Sequence, residues 1–62
     1  MTTQTPRLIP LPAVEQMTGL RRTVIYELER AGQFPRRRKV TQRASRWLER
    51  EVAEWCESRP TA

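Results

Sequence analysis

The chain has 62 residues, with twelve Lys and Arg against seven Asp and Glu, a formal net charge of +5 and a pI near 11.1. A chain this short buries only ~60% of the surface its unfolded form exposes, which suits one small domain and leaves no room for a catalytic domain with its own cleft and lid. It holds no His and a single Cys, Cys56, so a His-based triad, a Cys/His zinc site and a disulfide framework are excluded by inventory.

The first six residues are polar and Thr-rich and read as a flexible N-terminal tail. Residues 60–62 read as a matching C-terminal tail, and the domain proper spans 7–59. Leu8-Ile9-Pro10-Leu11 is apolar, and its proline argues for an extended lead-in. Pro12 suits the first turn of a helix, where a missing N–H costs nothing. The first helix is expected over 12–18, with Leu11, Val14 and Met17 as its inward stripe and Gly19 as its stop.

A second helix is expected over 21–31. Leu20, Val24, Ile25 and Leu28 face inward, and Arg22, Thr23, Tyr26, Glu27 and Arg30 face outward. Ala31-Gly32 ends it. Two helices joined by a tight Gly-containing turn make a helix-turn-helix. Phe34-Pro35 breaks the pattern. Two short strands follow at 36–40 and 44–47, around a Thr41-Gln42-Arg43 turn without Gly, Asn or Asp. Two strands need a helix to pack on, and Trp47 is the expected bridge into the core. A third helix is expected over 48–58, with Leu48, Val52 and Trp55 inward and Glu49 and Glu51 suited to its positive end. The fold class is mainly α with a small β-hairpin, a winged helix-turn-helix.

The charge is concentrated. Residues 21–46 carry nine basic groups against two acidic ones, a net of +7, and the remainder carries three against five, a net of −2. A basic surface of this kind points to nucleic acid before an anionic membrane. No apolar run approaches the ~20 residues of a membrane span, nor the h-region of a signal peptide. The chain therefore reads as mature, soluble and cytoplasmic, and one cysteine is consistent with a reducing compartment.

Function is expected on the outer face of the second helix. Arg22 can donate twice to a guanine edge, Thr23 can meet a thymine methyl or a phosphate, and Tyr26 can reach a phosphate oxygen. With Arg30 they span about two turns, the length that crosses a major groove. Arg21, at the helix start, would face a phosphate beside free backbone N–H groups. Glu27 either accepts from cytosine N4 or pairs with Arg22 or Arg30, the surface pair being the simpler reading. Arg36, Arg37, Arg38 and Lys39 add a second contact surface on the hairpin, over the backbone or in the adjacent minor groove. Pairing with the third helix's glutamates would occupy one or two of these arginines, not all. Trp47 and Trp55 fall at inward positions and read as core rather than stacking platforms, and Cys56 reads as structural. No catalytic residues, metal or cofactor are expected.

Residues 8–55 resemble the AlpA-type phage regulators and the related excisionases of the MerR-like winged-helix group. The matching string begins Arg7-Leu8-Ile9-Pro10-Leu11-Pro12-Ala13-Val14. It continues Thr18-Gly19-Leu20, Arg22-Thr23-Val24-Ile25-Tyr26 and Gly32-Gln33-Phe34-Pro35. It closes with Arg46-Trp47, Glu51-Val52 and Trp55. The resemblance implies a second helix in the major groove followed by a two-stranded wing. It also implies a protein of a phage or integrative element that switches transcription, or directs excision by a tyrosine integrase, or both. By position, Arg22, Thr23 and Tyr26 become recognition-helix contacts, and Arg43 and Arg46 become wing contacts. Arg21 stands where the family usually has a Ser N-cap, at a cost of ~1 kcal/mol. Arg38 and Ser45 stand where family wings are apolar, so Val40 and Trp47 are left to hold the wing's inner face and Arg38 is free to turn toward DNA.

The leading reading is a double-stranded DNA-binding protein acting at attachment-site or promoter repeats, excisionase or transcriptional regulator, in a bacterial cell and at its nucleoid. A basic wing suits backbone clamping and bending, which must offset ~1–6 kcal/mol of DNA deformation. A monomer is expected in solution, with cooperative assembly on DNA left open. The alternative is a protein-interaction module in which the acidic third helix, with Glu49, Glu51, Glu54 and Glu57, docks an integrase or another basic partner.

Overall fold

A computed structural model describes residues 7–60, so the expected tails at 1–6 and 60–62 lie, Pro60 apart, outside the described residues. The elements run β1 (Leu8–Ile9), α1 (Leu11–Thr18), α2 (Arg22–Arg30), β2 (Arg38–Lys39), β3 (Ser45–Leu48) and α3 (Glu49–Glu57). Three helices pack with a small antiparallel sheet of order β1-β3-β2, a winged-helix-like domain.

The sheet has one strand more than the hairpin expected from sequence. The extended lead-in pairs with β3, placing Leu8 opposite Leu48 and Ile9 opposite Trp47. Pro10 ends that strand and caps α1, whose second residue, Pro12, needs no hydrogen bond there. The Glu49 N–H donates to the Arg7 carbonyl at 2.7 Å, extending the pairing to the first turn of α3.

The α1–α2 corner is built from side chains. Gly19 takes the left-handed conformation (φ 73°), and its N–H donates to the Glu15 carbonyl at 2.7 Å. Thr18 Oγ1 donates to the Val14 carbonyl and accepts from the Leu20 N–H. Arg21 occupies the N-cap of α2 and offers no side-chain cap. Glu15 of α1 takes over that task, its Oε2 accepting from the Arg22 N–H at 3.0 Å. The absent N-cap serine is thus replaced from the preceding helix, with a negative charge at the positive end of α2.

At the other end of α2, the Gln33 N–H donates to the Leu28 carbonyl and the Gly32 N–H to the Glu29 carbonyl. Gly32 is left-handed (φ 76°) between them, so the helix closes in a Schellman motif. This turn swings Phe34 inward. Phe34 is buried and meets Trp55 edge-on at 4.8 Å, while the Trp55 indole donates to the Gln33 carbonyl at 2.7 Å.

The hairpin is shorter than expected, with Arg38 opposite Arg46 and Lys39 opposite Ser45. Its turn lacks Gly, Asn and Asp because Thr41 substitutes for them. Thr41 Oγ1 accepts from the N–H groups of Arg43 and Ala44 at 3.2 and 3.0 Å, a side-chain mimic of a backbone turn.

The core comprises Ile9, Val14, Ile25, Phe34, Trp47 and Val52, with Leu11, Leu20, Leu28 and Trp55 packed around it. Three expected core residues lie outside. Val24 is 39% exposed, because it sits about 100° around the helix from Ile25 and only one of the two can point at the core. Met17 is 37% exposed at the last turn of α1, about 60° off the direction of Val14. Val40 is 50% exposed, since the chain has left the sheet there, and Trp47 holds the root of the wing without it. Cys56 is half-buried on α3 with its thiol 3.8 Å from the Met17 carbonyl, in keeping with a structural role.

These differences can be measured. Ile25→Ala should lower unfolding stability by about 2–5 kcal/mol. Val40→Ala and Val24→Ala should each stay within about 1 kcal/mol of the parent in urea denaturation followed by circular dichroism.

Candidate nucleic-acid interface

The outward face of α2 is as the period requires. Arg22, Thr23, Tyr26 and Arg30 are exposed, and Arg22, Tyr26 and Arg30 form one row at four-residue steps. Arg21 is exposed at the head of the helix. Tyr26 lies at the junction with the wing, its ring centroid 6.4 Å from that of Trp47.

The basic run at 36–39 is not one uniform patch. Arg37 folds back onto α2, its guanidinium 5.1 Å from the centre of the Tyr26 ring. Glu29 holds it twice. One carboxylate oxygen accepts from the Arg37 backbone N–H and the other from Nη1, both at 2.7 Å. The Glu29 side chain is only 12% exposed, so this pair is better shielded than a surface ion pair. Arg38 turns toward α3, where its Nη2 lies 2.8 Å from Glu51 Oε2. Arg38 is therefore not free to point outward, as the sequence had suggested. Glu51 also offsets the like charges that the ladder sets opposite each other at Arg38 and Arg46. Arg36, Lys39 and Arg43 are exposed and Arg46 is half-buried, and none of the four has a carboxylate within ion-pair distance among the described residues.

The acids divide differently from expectation. Glu27 makes no ion pair with Arg22 or Arg30. Glu29, which no binding motif in the sequence singles out, is the residue that ties α2 to the start of the wing. The signal that could have found it is its place in α2, inward of Arg30 and one turn past Tyr26's neighbour Ile25. Of the α3 glutamates, Glu51 pairs with Arg38, and Glu49 lies 3.8 Å from Arg7. Glu54 and Glu57 remain exposed.

The surface thus joins a helix face rich in Arg, Thr and Tyr to a hairpin with unpaired cations at its tip and root. Residues 7–60 match the family model described as prophage CP4-57 regulatory protein (AlpA). The chain belongs to the AlpA family. It is also 38% identical over 53 residues to the uncharacterized protein ORF88 of Enterobacteria phage P4, a match that covers 86% of this chain and 60% of that protein. The chain thus spans less than two thirds of the length of its phage P4 relative. No solved structure matches it. Among the described residues of this AlpA-family chain, no helix is long and apolar enough to cross a membrane.

The Glu29–Arg37 brace is open to a double-mutant cycle. Glu29→Gln and Arg37→Ala, alone and together, should give a coupling energy of about 0.5–1 kcal/mol, discounted for the exposure of Arg37. The Tyr26 ring resonances should shift in both single variants.

Proposed function

We propose that this AlpA-family chain is a sequence-specific double-stranded DNA-binding protein of a phage or integrative element. In this reading α2 enters the major groove. Arg22 and Thr23 meet base edges, Tyr26 and Arg30 meet edges or phosphates, and Arg21 meets a phosphate at the head of the helix. The hairpin lies on the backbone or in the adjacent minor groove through Arg36, Lys39, Arg43 and Arg46. Arg37 and Arg38 are held by carboxylates, so their part is to set the position of the wing first and to add positive potential second.

The observation that carries this reading is the continuous exposed path from Arg22 and Tyr26 on α2 to the carboxylate-free cations of the hairpin. A chain of this kind acts by occupancy, by binding adjacent repeats and by bending. Those means fit an excisionase that directs a tyrosine integrase, a transcriptional regulator, or one protein doing both. Unpaired wing cations favour the first, because bending needs backbone contacts to offset its cost. The second reading, a docking module working through α3, retains only Glu54 and Glu57 as unengaged acids, since Glu49 and Glu51 face basic residues of the same chain.

Fluorescence anisotropy with duplexes tiled across the element's attachment site and promoter, with a random duplex and a salt series, tests the proposal. Arg22→Ala should cost about 1–3 kcal/mol on the preferred duplex and relax selection at one base pair. Lys39→Ala should weaken all duplexes alike and reduce the salt slope by about one. Equal, weak binding to every duplex, unaffected by Arg22→Ala, would overturn the reading in favour of the docking module. Sites grouped at the attachment site would favour excisionase, and sites over the promoter would favour regulator.

A further inference from the structure

The outer face of α2 carries one side chain that the DNA-binding reading leaves idle. Ile25 is fully buried and fixes which way the helix is turned. At about 100° per residue, Thr23 and Glu27 stand about 160° and 200° around from it, so these two point most directly away from the core. Val24 and Tyr26, about 100° to either side of Ile25, are the flanks. Tyr26 is the flank toward the wing, near the Trp47 ring. A helix that enters a groove turns its outermost line to the floor, where the base edges lie. That line is Thr23 and, one turn further along α2, Glu27.

Glu27 is exposed and has no cation within ion-pair distance among the described residues, although Arg30 follows it on the next turn. The two other acids at α2 are engaged within the chain. Glu15 accepts from the Arg22 N–H, and Glu29 holds Arg37. A carboxylate only accepts hydrogen bonds. Water satisfies it in the free protein. Pressed into a groove it loses that water, which is costly unless a donor takes its place. Guanine offers N7 and O6 to the major groove and thymine offers O4, all of them acceptors. Adenine sets its N6 donor beside the N7 acceptor, whereas cytosine presents the N4 donor alone. Cytosine is the edge that fits an unpaired carboxylate.

We propose that Glu27 is a specificity-determining residue, which accepts from cytosine N4 one turn past Thr23 and rejects the other three bases at that pair. The proposal rests on the reading that α2 enters the major groove, and it adds a contact made by an acid to those made by cations. The face then holds readers of both kinds, Arg22 for an acceptor edge and Glu27 for a donor edge. Glu27 also works against every wrong register, in which its carboxylate meets base acceptors or phosphate oxygens.

The test is anisotropy with the full chain on its preferred duplex, on that duplex with each base pair changed in turn to the other three, and on a random duplex. Glu27→Gln and Glu27→Ala are compared with the parent. Both introduce good helix formers at an exposed position, and circular dichroism checks that the fold is kept. The parent should favour one C·G pair about ten-fold over its replacements. Glu27→Ala should level the choice at that pair, leave the other pairs as they are and tighten the random duplex. Glu27→Gln should move the preference at the same pair toward A·T, because an amide meets adenine N6 and N7 together. Variants that bind every duplex as the parent does, or that tighten all of them by one factor, overturn the proposal. So does levelling at an A·T pair in place of C·G. If Arg22→Ala still relaxes selection at its own pair in those cases, the DNA reading stands without Glu27. A parent that selects no duplex overturns both.

Discussion

Trp47 lies in the central strand of the sheet, opposite Ile9 on one side and near the Tyr26 ring on the other. It is 1% exposed and among the largest fully buried side chains. In a domain this small, one such residue carries a large part of the buried apolar area. Its place also decides geometry. Because the same ring touches the lead-in strand, the core and the outer helix, the wing cannot tilt without disturbing the face of α2. The hairpin itself is two short strands that would not persist alone. Its orientation is borrowed from the core through this side chain, with the Glu29–Arg37 and Glu51–Arg38 pairs holding it from either flank.

Around that centre, carboxylates do the sorting of an arginine-rich chain. Glu15 completes the start of α2, Glu29 holds the loop that leads to the wing, and Glu51 ties the wing to α3. Glu29 and Glu51 each pair with one arginine of the wing segment, while Glu15 accepts from a backbone N–H and leaves the Arg22 side chain exposed. Among the described residues, the cations left without a carboxylate are those of the α2 row and its head, those of the hairpin with Arg36 before it, and Arg50 and Arg59 on and after α3. A protein with the same net charge and no such pairing would present a diffuse positive surface, good for non-specific attraction and poor for register.

Much of this was legible in the sequence, and the reasons for the rest are local. The three helices followed from their apolar periods and from Gly19 and Gly32, which sit where left-handed backbone is required. Trp47 was readable as the bridge to the core. The third strand was not, because two residues beside prolines carry no alternation to detect, and their pairing with β3 is a long-range event. Val24 and Val40 were misplaced because period alone cannot decide which of two adjacent apolar residues wins the core, nor where a strand leaves its sheet. Phe34 was hidden by the proline after it, although the Schellman turn at Gly32 is what turns it inward. The α2 face was readable residue by residue. The carboxylates that position it were not, since each acts across seven to thirteen residues of chain.

The short sheet has a consequence for how the molecule behaves in a crowd. Both outer strands are only two residues long. One ends against Pro10, and the other carries Arg38 and Lys39. An exposed strand edge is a template on which a second chain can add and aggregate, and short, charged or proline-blocked edges defeat it. The charged side chains on one edge and the proline on the other thus disfavour the zipping of neighbouring molecules onto the sheet, so the protein can be crowded without its β-structure becoming the glue.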